Sequence, residues 1–169
     1  HDISRRQRQM CIRDRYVTCA LNFFGVEKTD KVAIHSENRP EWLIADIGIQ
    51  ALGGLSVGLY PTNPPAEVKY LLSHSESKIL FAEDQEQVDK ALEVIQDVPN
   101  LSKIIYFEEK GLFRYESDKL MRWDEFLKIG KEEFEKNKDF PNFCIDEIKS
   151  DDVALMIYTS GTTGPPKAS

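Results

Sequence analysis

The stretch "YTSGTTGPPK", from Tyr158 to Lys167, sets three threonines, one serine, two glycines, two prolines and a lysine in close succession. Residues of this kind pack poorly, but Thr159, Ser160, Thr162 and Thr163 each bring a hydroxyl donor. Gly161 and Gly164 permit positive φ and let the main chain approach a ligand with no Cβ between. Successive backbone N–H groups in such a turn form a concavity that binds anions. Lys167 adds a full positive charge on a flexible stem, and Pro165-Pro166 stiffens its approach. Together these groups suit the oxygens of a phosphate chain.

This is not the common phosphate loop. The pattern G-x-x-x-x-G-K-[ST] would need glycine where Pro166 stands and a hydroxyl residue where Ala168 stands. The dinucleotide pattern G-x-G-x-x-G is likewise absent.

A loop of this kind needs a rigid element to present it. "VALMIY" (Val153 to Tyr158) is a continuous apolar run leading straight into the motif. It predicts a strand that releases the motif at the carboxyl edge of a sheet, where open α/β sheets bind ligands. Four earlier runs predict companion strands: "KVAIHS" (31–36), "LSVGLY" (55–60), "KILFA" (78–82) and "KIIYF" (103–107). None alternates polar with apolar, as expected of strands covered on both faces.

Helical patterns fall between them. In "ENRPEW", Asn38 is expected to cap, Pro40 to occupy the first turn and Glu41 to complete a capping box. That helix carries Trp42, Ile44, Ala45, Ile49 and Leu52 and stops at Gly53-Gly54. Pro65 opens a second helix with Val68, Leu71 and Leu72. Val88, Ala91, Leu92 and Ile95 define a third. The alternation predicts an α/β fold: a mostly parallel sheet with helices on both faces.

From Lys110 to Asp152 charge density rises and strand signals stop. Met121 to Asn137 reads as an amphipathic helix whose apolar side is Trp123, Phe126, Leu127 and Phe134. It is expected to lie solvated on the domain surface, held by its aromatics; a partner- or membrane-binding helix is the sharper alternative.

The formal net charge is -7, which argues against nucleic acid as a partner. Residues 1–15 depart from this balance with five arginines against two aspartates, leaving 17 basic and 27 acidic residues in the remainder. "SRRQRQMCIRDR" (4–15) resembles translated sequencing-adaptor read-through, so residues 1–15 are read as a non-native extension; a basic arm is the alternative. Cys11, Cys19 and Cys144 have neither disulfide-framework nor zinc spacing, and His35 and His74 stand apart from any metal motif. "WLIADIGIQALGGLSVGLY" (42–60) approaches the length of a membrane span. Asp46 and Gly53-Gly54 favour a buried helix, a turn and a strand instead.

Residues 158–167 match at every position the signature loop of the adenylate-forming (AMP-binding) superfamily, Y-T-S-G-[ST]-T-G-x-P-K-G; only Ala168 departs, standing where that loop has glycine. Upstream, "NRPEW", "YPTNPPAEVKYLLSHSE" and "KILF" resemble long-chain fatty acyl-CoA synthetases, including the bubblegum-like branch. The resemblance implies an ATP-dependent acyl-CoA synthetase with ATP, Mg2+ and CoA as cofactor and co-substrates and a fatty acid as the acid. It implies that Thr159, Ser160, Gly161, Thr162, Thr163, Gly164 and Lys167 hold the β- and γ-phosphates, with Thr162 near the magnesium carried on ATP. The catalytic lysine and the acyl pocket of such enzymes lie after the loop. The chain is therefore expected to be an amino-terminal fragment, inactive alone. It divides into a subdomain over 16–152, with an acidic helical insertion near 110–150, and a strand plus truncated loop over 153–169. The implied location is cytoplasmic, with peripheral membrane association of the parent enzyme left open. An amino-acid adenylating or luciferase-like relative and a non-catalytic interaction domain remain as alternatives.

Overall fold

A computed structural model describes the backbone of residues 2–159 and 167–168 and the side chains of residues 12–159. The first helix, α1 (Asp2–Phe23), leads to strand β1 (Lys31–His35). There follow α2 (Pro40–Ala51), β2 (Leu55–Leu59), α3 (Pro65–Ser75), β3 (Ile79–Ala82), α4 (Gln85–Val94) and β4 (Lys103–Tyr106). β5 (Leu120–Arg122), α5 (Trp123–Lys136), α6 (Phe140–Asp146) and β6 (Leu155–Met156) complete the main layer. A separate hairpin pairs β7 (Tyr158–Thr159) with β8 (Lys167–Ala168).

The six strands of the main sheet run parallel in the order β5-β4-β3-β1-β2-β6. Its two faces follow from the period-two geometry of a strand. On one face Ala33, Val57, Leu80, Ala82 and Ile104 pack with Val68, Leu71 and Leu72 of α3 and Val88 and Ala91 of α4. On the other, Val32, Ile34, Ile79, Phe81 and Ile105 meet α1, α2 and α5 through Val17, Leu21, Ile44, Ile49 and Phe126. The predicted α/β architecture, with a parallel sheet between helical layers, is the observed one.

The run from Trp42 to Tyr60 resolves into α2, a turn and β2, as its interior glycines suggested; Gly53 takes φ +82 at the helix end. Among the described residues no helix is long and apolar enough to cross a membrane.

Several details differ from the expectation. Asn38 does not cap α2. Arg39 takes the N-cap place with no side-chain cap bond, and its Nε donates to Glu41 Oε2 at 2.8 Å, so Glu41 serves an ion pair in place of a capping box. Leu120–Arg122 is a strand where none was expected, pairing with β4 from Ile104↔Leu120 to Tyr106↔Arg122. No helix supplies its crossover. The connection instead buries Leu112, and the Tyr115 hydroxyl, 2.6 Å from Asp89 Oδ1, ties it to α4. A three-residue strand reached through a charged loop leaves no periodic signal to read.

α5 is amphipathic as read, and its aromatics hold it to the domain by reaching into the core. Trp123 and Phe126 are buried and meet Phe81 edge-on, Trp123 meets Phe107 edge-on as well, and Phe134 meets Tyr16 of α1 edge-on. The apolar face is thus occupied from within. α1 is one helix across residues 15 and 16, so the boundary drawn there from composition is not an architectural one. Its second half is built in: Thr18 Oγ1 donates to Gly48 O at 3.0 Å, and Val17 lies where a Cβ on Gly48 would fall.

The run Val153–Tyr158 does not form one buried strand. It pairs with β2 only over Leu155–Met156, passes Ile157 and restarts as β7, leaving Val153 63%, Leu155 39% and Ile157 48% exposed.

Candidate phosphate-binding site

The carboxyl ends of β1, β2 and β3 deliver three short loops to one edge of the sheet, and the hairpin β7–β8 stands at the same edge through its neighbour β6. Each loop is braced. After β1, Ser36 Oγ donates to Glu83 Oε2 at 3.2 Å and Glu37 N to the same oxygen at 2.6 Å, so a carboxylate from the β3 loop closes the β1 loop. Arg39 lies over the Phe107 ring at 5.5 Å and its Nη1 comes within 3.5 Å of Glu83 Oε1.

The loop after β2, "YPTNP" (60–64), is held from beneath. His35 Nε2 donates to Tyr60 O at 3.0 Å, while Gln87 Nε2 and Lys90 Nζ donate to Pro61 O at 3.2 and 2.7 Å. His35 is fully buried, and burial, reinforced by the Lys90 charge, pushes its imidazole down to about 4. The neutral ring with its proton on Nε2 is the form this site accepts. Asn63 ends the turn, donating its N–H to Tyr60 O at 2.9 Å, and its side chain is buried with Oδ1 unpartnered among the described residues.

Two cavities flank β7. One, of about 330 Å³, lies between Tyr60, Asn63, Glu67, Tyr158 and Thr159. The other, of about 340 Å³, is more apolar and lies among Trp42, Leu59, Tyr60, Leu155, Ile157 and Tyr158. Tyr158 forms part of both walls. Its hydroxyl is 2.7 Å from His74 Nδ1, and its ring meets the imidazole edge-on at 5.6 Å. Burial, with Tyr70 adding to it, keeps the phenol above its ordinary pKa and therefore neutral.

Of the residues singled out in the sequence, Thr159 is exposed at the mouth of the first cavity. The ladder sets Thr159 directly across from Lys167, and Tyr158 across from Ala168. The two ends of the hydroxyl- and glycine-rich segment are thereby drawn together. Ser160, Gly161, Thr162, Thr163 and Gly164 lie outside the described residues, and Lys167 is described in its backbone only. Asn63, Glu67 and His74 were not foreseen here. The turn chemistry of "PTNPP" and the isolation of His74 in sequence masked a convergence that only the fold produces.

A family model described as AMP-binding enzyme matches residues 8–168, nearly the whole chain. The chain belongs to the AMP-binding enzyme family. Among curated members, the long-chain-fatty-acid–CoA ligase ACSBG2 of Xenopus laevis is 35% identical over 147 residues, covering 85% of this chain and 19% of that protein. ACSBG2 of Gallus gallus is 36% identical, covering 84% of this chain and 18% of that protein. ACSBG1 of Rattus norvegicus is 29% identical, covering 85% and 19%. The resemblance to the bubblegum-like long-chain branch therefore extends over most of the chain. The chain spans about a fifth of the length of these relatives. Among solved structures, the anthranilate CoA ligase AuaEII, in complex with anthranoyl-AMP, shares the fold with a TM-score of 0.68 at 23% identity, over 95% of this chain and 28% of that one.

Proposed function

We propose that this AMP-binding enzyme chain is the amino-terminal part of a long-chain-fatty-acid–CoA ligase and supplies its grip on the ATP phosphates. In that reaction a fatty-acid carboxylate oxygen attacks the α-phosphorus of ATP. The bond from the α-phosphorus to the bridging oxygen breaks, and pyrophosphate leaves with the electron pair. The CoA thiol, losing its proton, then attacks the carbonyl carbon of the acyl-adenylate and displaces AMP.

Negative charge grows on the departing pyrophosphate, so donors fixed in place beforehand lower the barrier. The observation that carries this reading is the β7–β8 ladder, which opposes Thr159 and Lys167, the two ends of the glycine- and hydroxyl-rich segment, at a carboxyl sheet edge. Thr159, Ser160, Gly161, Thr162, Thr163, Gly164 and Lys167 are the proposed phosphate ligands, with Thr162, Thr163 and Lys167 foremost. Among the described residues no group of three or more His, Cys, Asp or Glu could hold a metal. Magnesium is proposed to enter as the ATP complex, with Thr162 beside it.

The acyl pocket and the adenine site are assigned to polypeptide of the parent enzyme outside this chain, so residues 1–169 alone make no acyl-adenylate. The test is a chimera in which this chain replaces the matching segment of the Xenopus laevis ACSBG2 ligase, with folding checked by thermal melting. The chimera is expected to form long-chain acyl-CoA from ATP and fatty acid. Lys167→Ala and Thr162→Val are each expected to lower kcat/KM for ATP at least about a hundredfold, the scale of losing a donor aimed at developing charge. A folded, active chimera indifferent to both substitutions would overturn the reading, as would acyl-adenylate formed by the chain alone.

A further inference from the structure

We infer that His74 is a positioning residue: it locks Tyr158 in place and so sets the neck of the phosphate-binding loop. The inference rests on the functional reading above and adds to it a residue outside the loop motif. His74 occupies the last turn of α3, a helix packed on the sheet face opposite α1, and reaches Tyr158 across 84 residues of sequence. The contact is specific in kind. A hydrogen bond of 2.7 Å and an edge-on ring contact at 5.6 Å fix both the direction and the roll of the phenol ring. Tyr70, one turn earlier on α3, packs against His74 with ring centroids 5.5 Å apart and holds the imidazole in turn.

The need for such a device is visible in β6 and β7. The main sheet holds this segment over a short stretch, with Ala154 O accepting from Ser56 N at 3.1 Å and Leu155 and Met156 pairing with β2, and Leu155 and Ile157 are partly open to solvent. Past Ile157 the chain has its own two-residue ladder and, among the described residues, no strand neighbour in the main sheet. Tyr158, only 6% exposed, is therefore the point where the hairpin is rooted in the core, and it adjoins Thr159 at the cavity mouth. A phenylalanine would fill the same space. The hydroxyl is what lets α3 dictate the ring's placement, and with it the backbone from which the loop departs. Donors must sit within fractions of an ångström of developing charge to be useful, so a loop on so short a ladder benefits from a second anchor.

The 169-residue chain tests this directly by amide hydrogen exchange, comparing wild type with His74→Leu, Tyr158→Phe, the double variant and His74→Asn. Loss of one buried hydrogen bond corresponds to about a fivefold change in an opening equilibrium. His74→Leu and Tyr158→Phe are each expected to speed exchange of the protected amides in 158–159 and 167–168 by about that factor. The double variant should go no further than either single one. His74→Asn, which can keep a hydrogen bond to the phenol, should restore most of the protection. Amides of β1, β3 and β4 should be unchanged. In the chimera, His74→Leu should raise KM for ATP about fivefold and leave KM for the fatty acid alone.

Unchanged hairpin protection, additive losses, or faster exchange spread evenly over all strands would each overturn the assignment, the last by showing plain destabilisation. A large Lys167→Ala effect alongside a silent His74→Leu sinks this inference and spares the functional reading; a silent Lys167→Ala sinks both.

Discussion

Gly130 of α5 sits against the main chain of Tyr16 in α1, so closely that a Cβ on the glycine would overlap the Tyr16 carbonyl oxygen and carbon. The clash would be with backbone, which cannot swing aside as a side-chain tip can. The two helices must move apart to admit even one methyl group, disturbing the Tyr16–Phe134 ring contact beside them. Gly130→Ala is therefore expected to destabilise the chain by about 2 kcal/mol, in the range of overpacked cores, although alanine is the better helix former. Urea unfolding followed by far-UV circular dichroism measures this; a variant as stable as wild type would show that the helices are not in contact here.

That contact also marks where sequence reading ran out. Strands β1 to β4 and helices α2 to α4 were legible because each is a long apolar or periodic run bounded by glycine, proline or a cap. The phosphate motif was legible because its residue types have few other uses. β5 was not, since Leu120–Arg122 is too short to show a period and its partner lies across a loop. Residues 1–15 were set aside on composition and no helix was read over 16–23, although Val17, Ala20 and Leu21 of α1 are all fully buried. Its helical register emerges only when Gly48 and Gly130 are seen to make room for it. The wall of the site was hidden for a similar reason: Asn63 and His74 gain their meaning from Tyr158, which the sequence places far from both.

The edge of the sheet at β6 carries a consequence for behaviour in solution. Val153 and Ile157 flank β6 and are exposed together with its Leu155, and among the described residues β6 pairs on one side only, with Leu43 and Ile47 of α2 also exposed. Apolar open edges of this type recruit other strands. The isolated chain is expected to self-associate at high concentration, and Leu155→Lys should shift it toward monomer without changing its circular dichroism. Light scattering coupled to size exclusion reads the outcome. A wild-type chain that stays monomeric at the concentration limit would refute this.

His35 gives the fold an acid-sensitive point. Its imidazole is held near 4, against 6.5 for the free group, because the ring is buried and Lys90 lies nearby, partly offset by the Tyr60 hydrogen bond and by Glu86 and Asp84. The unfolded chain therefore takes up the proton first. The stabilisation is complete above the unfolded value and drains away as pH falls toward the folded one. Between about pH 7 and pH 5 the loss from this group is about 2 kcal/mol. His35→Gln, which can still donate to Tyr60 O, should be less stable at neutral pH and show a smaller loss on acidification. Equal pH dependence in the two proteins would exclude His35 as its source.

Lys90 tests the same cluster from the other side. Its ammonium is mostly buried, bonded to Pro61 O and Glu86 Oε1 at 2.7 Å each, and its charge helps hold His35 neutral. Lys90→Met keeps the apolar stem and removes the charge. The His35 pKa should then rise toward its ordinary value, and NMR titration of the imidazole would follow it. Pro61 O would be left with Gln87 alone, at 3.2 Å, which should cost about 1 kcal/mol. Because that carbonyl anchors the loop bearing Tyr60 and Asn63, the same variant should speed amide exchange at residue 63. A His35 pKa that stays or falls would mean that burial alone sets it, and that the lysine serves only as a strut.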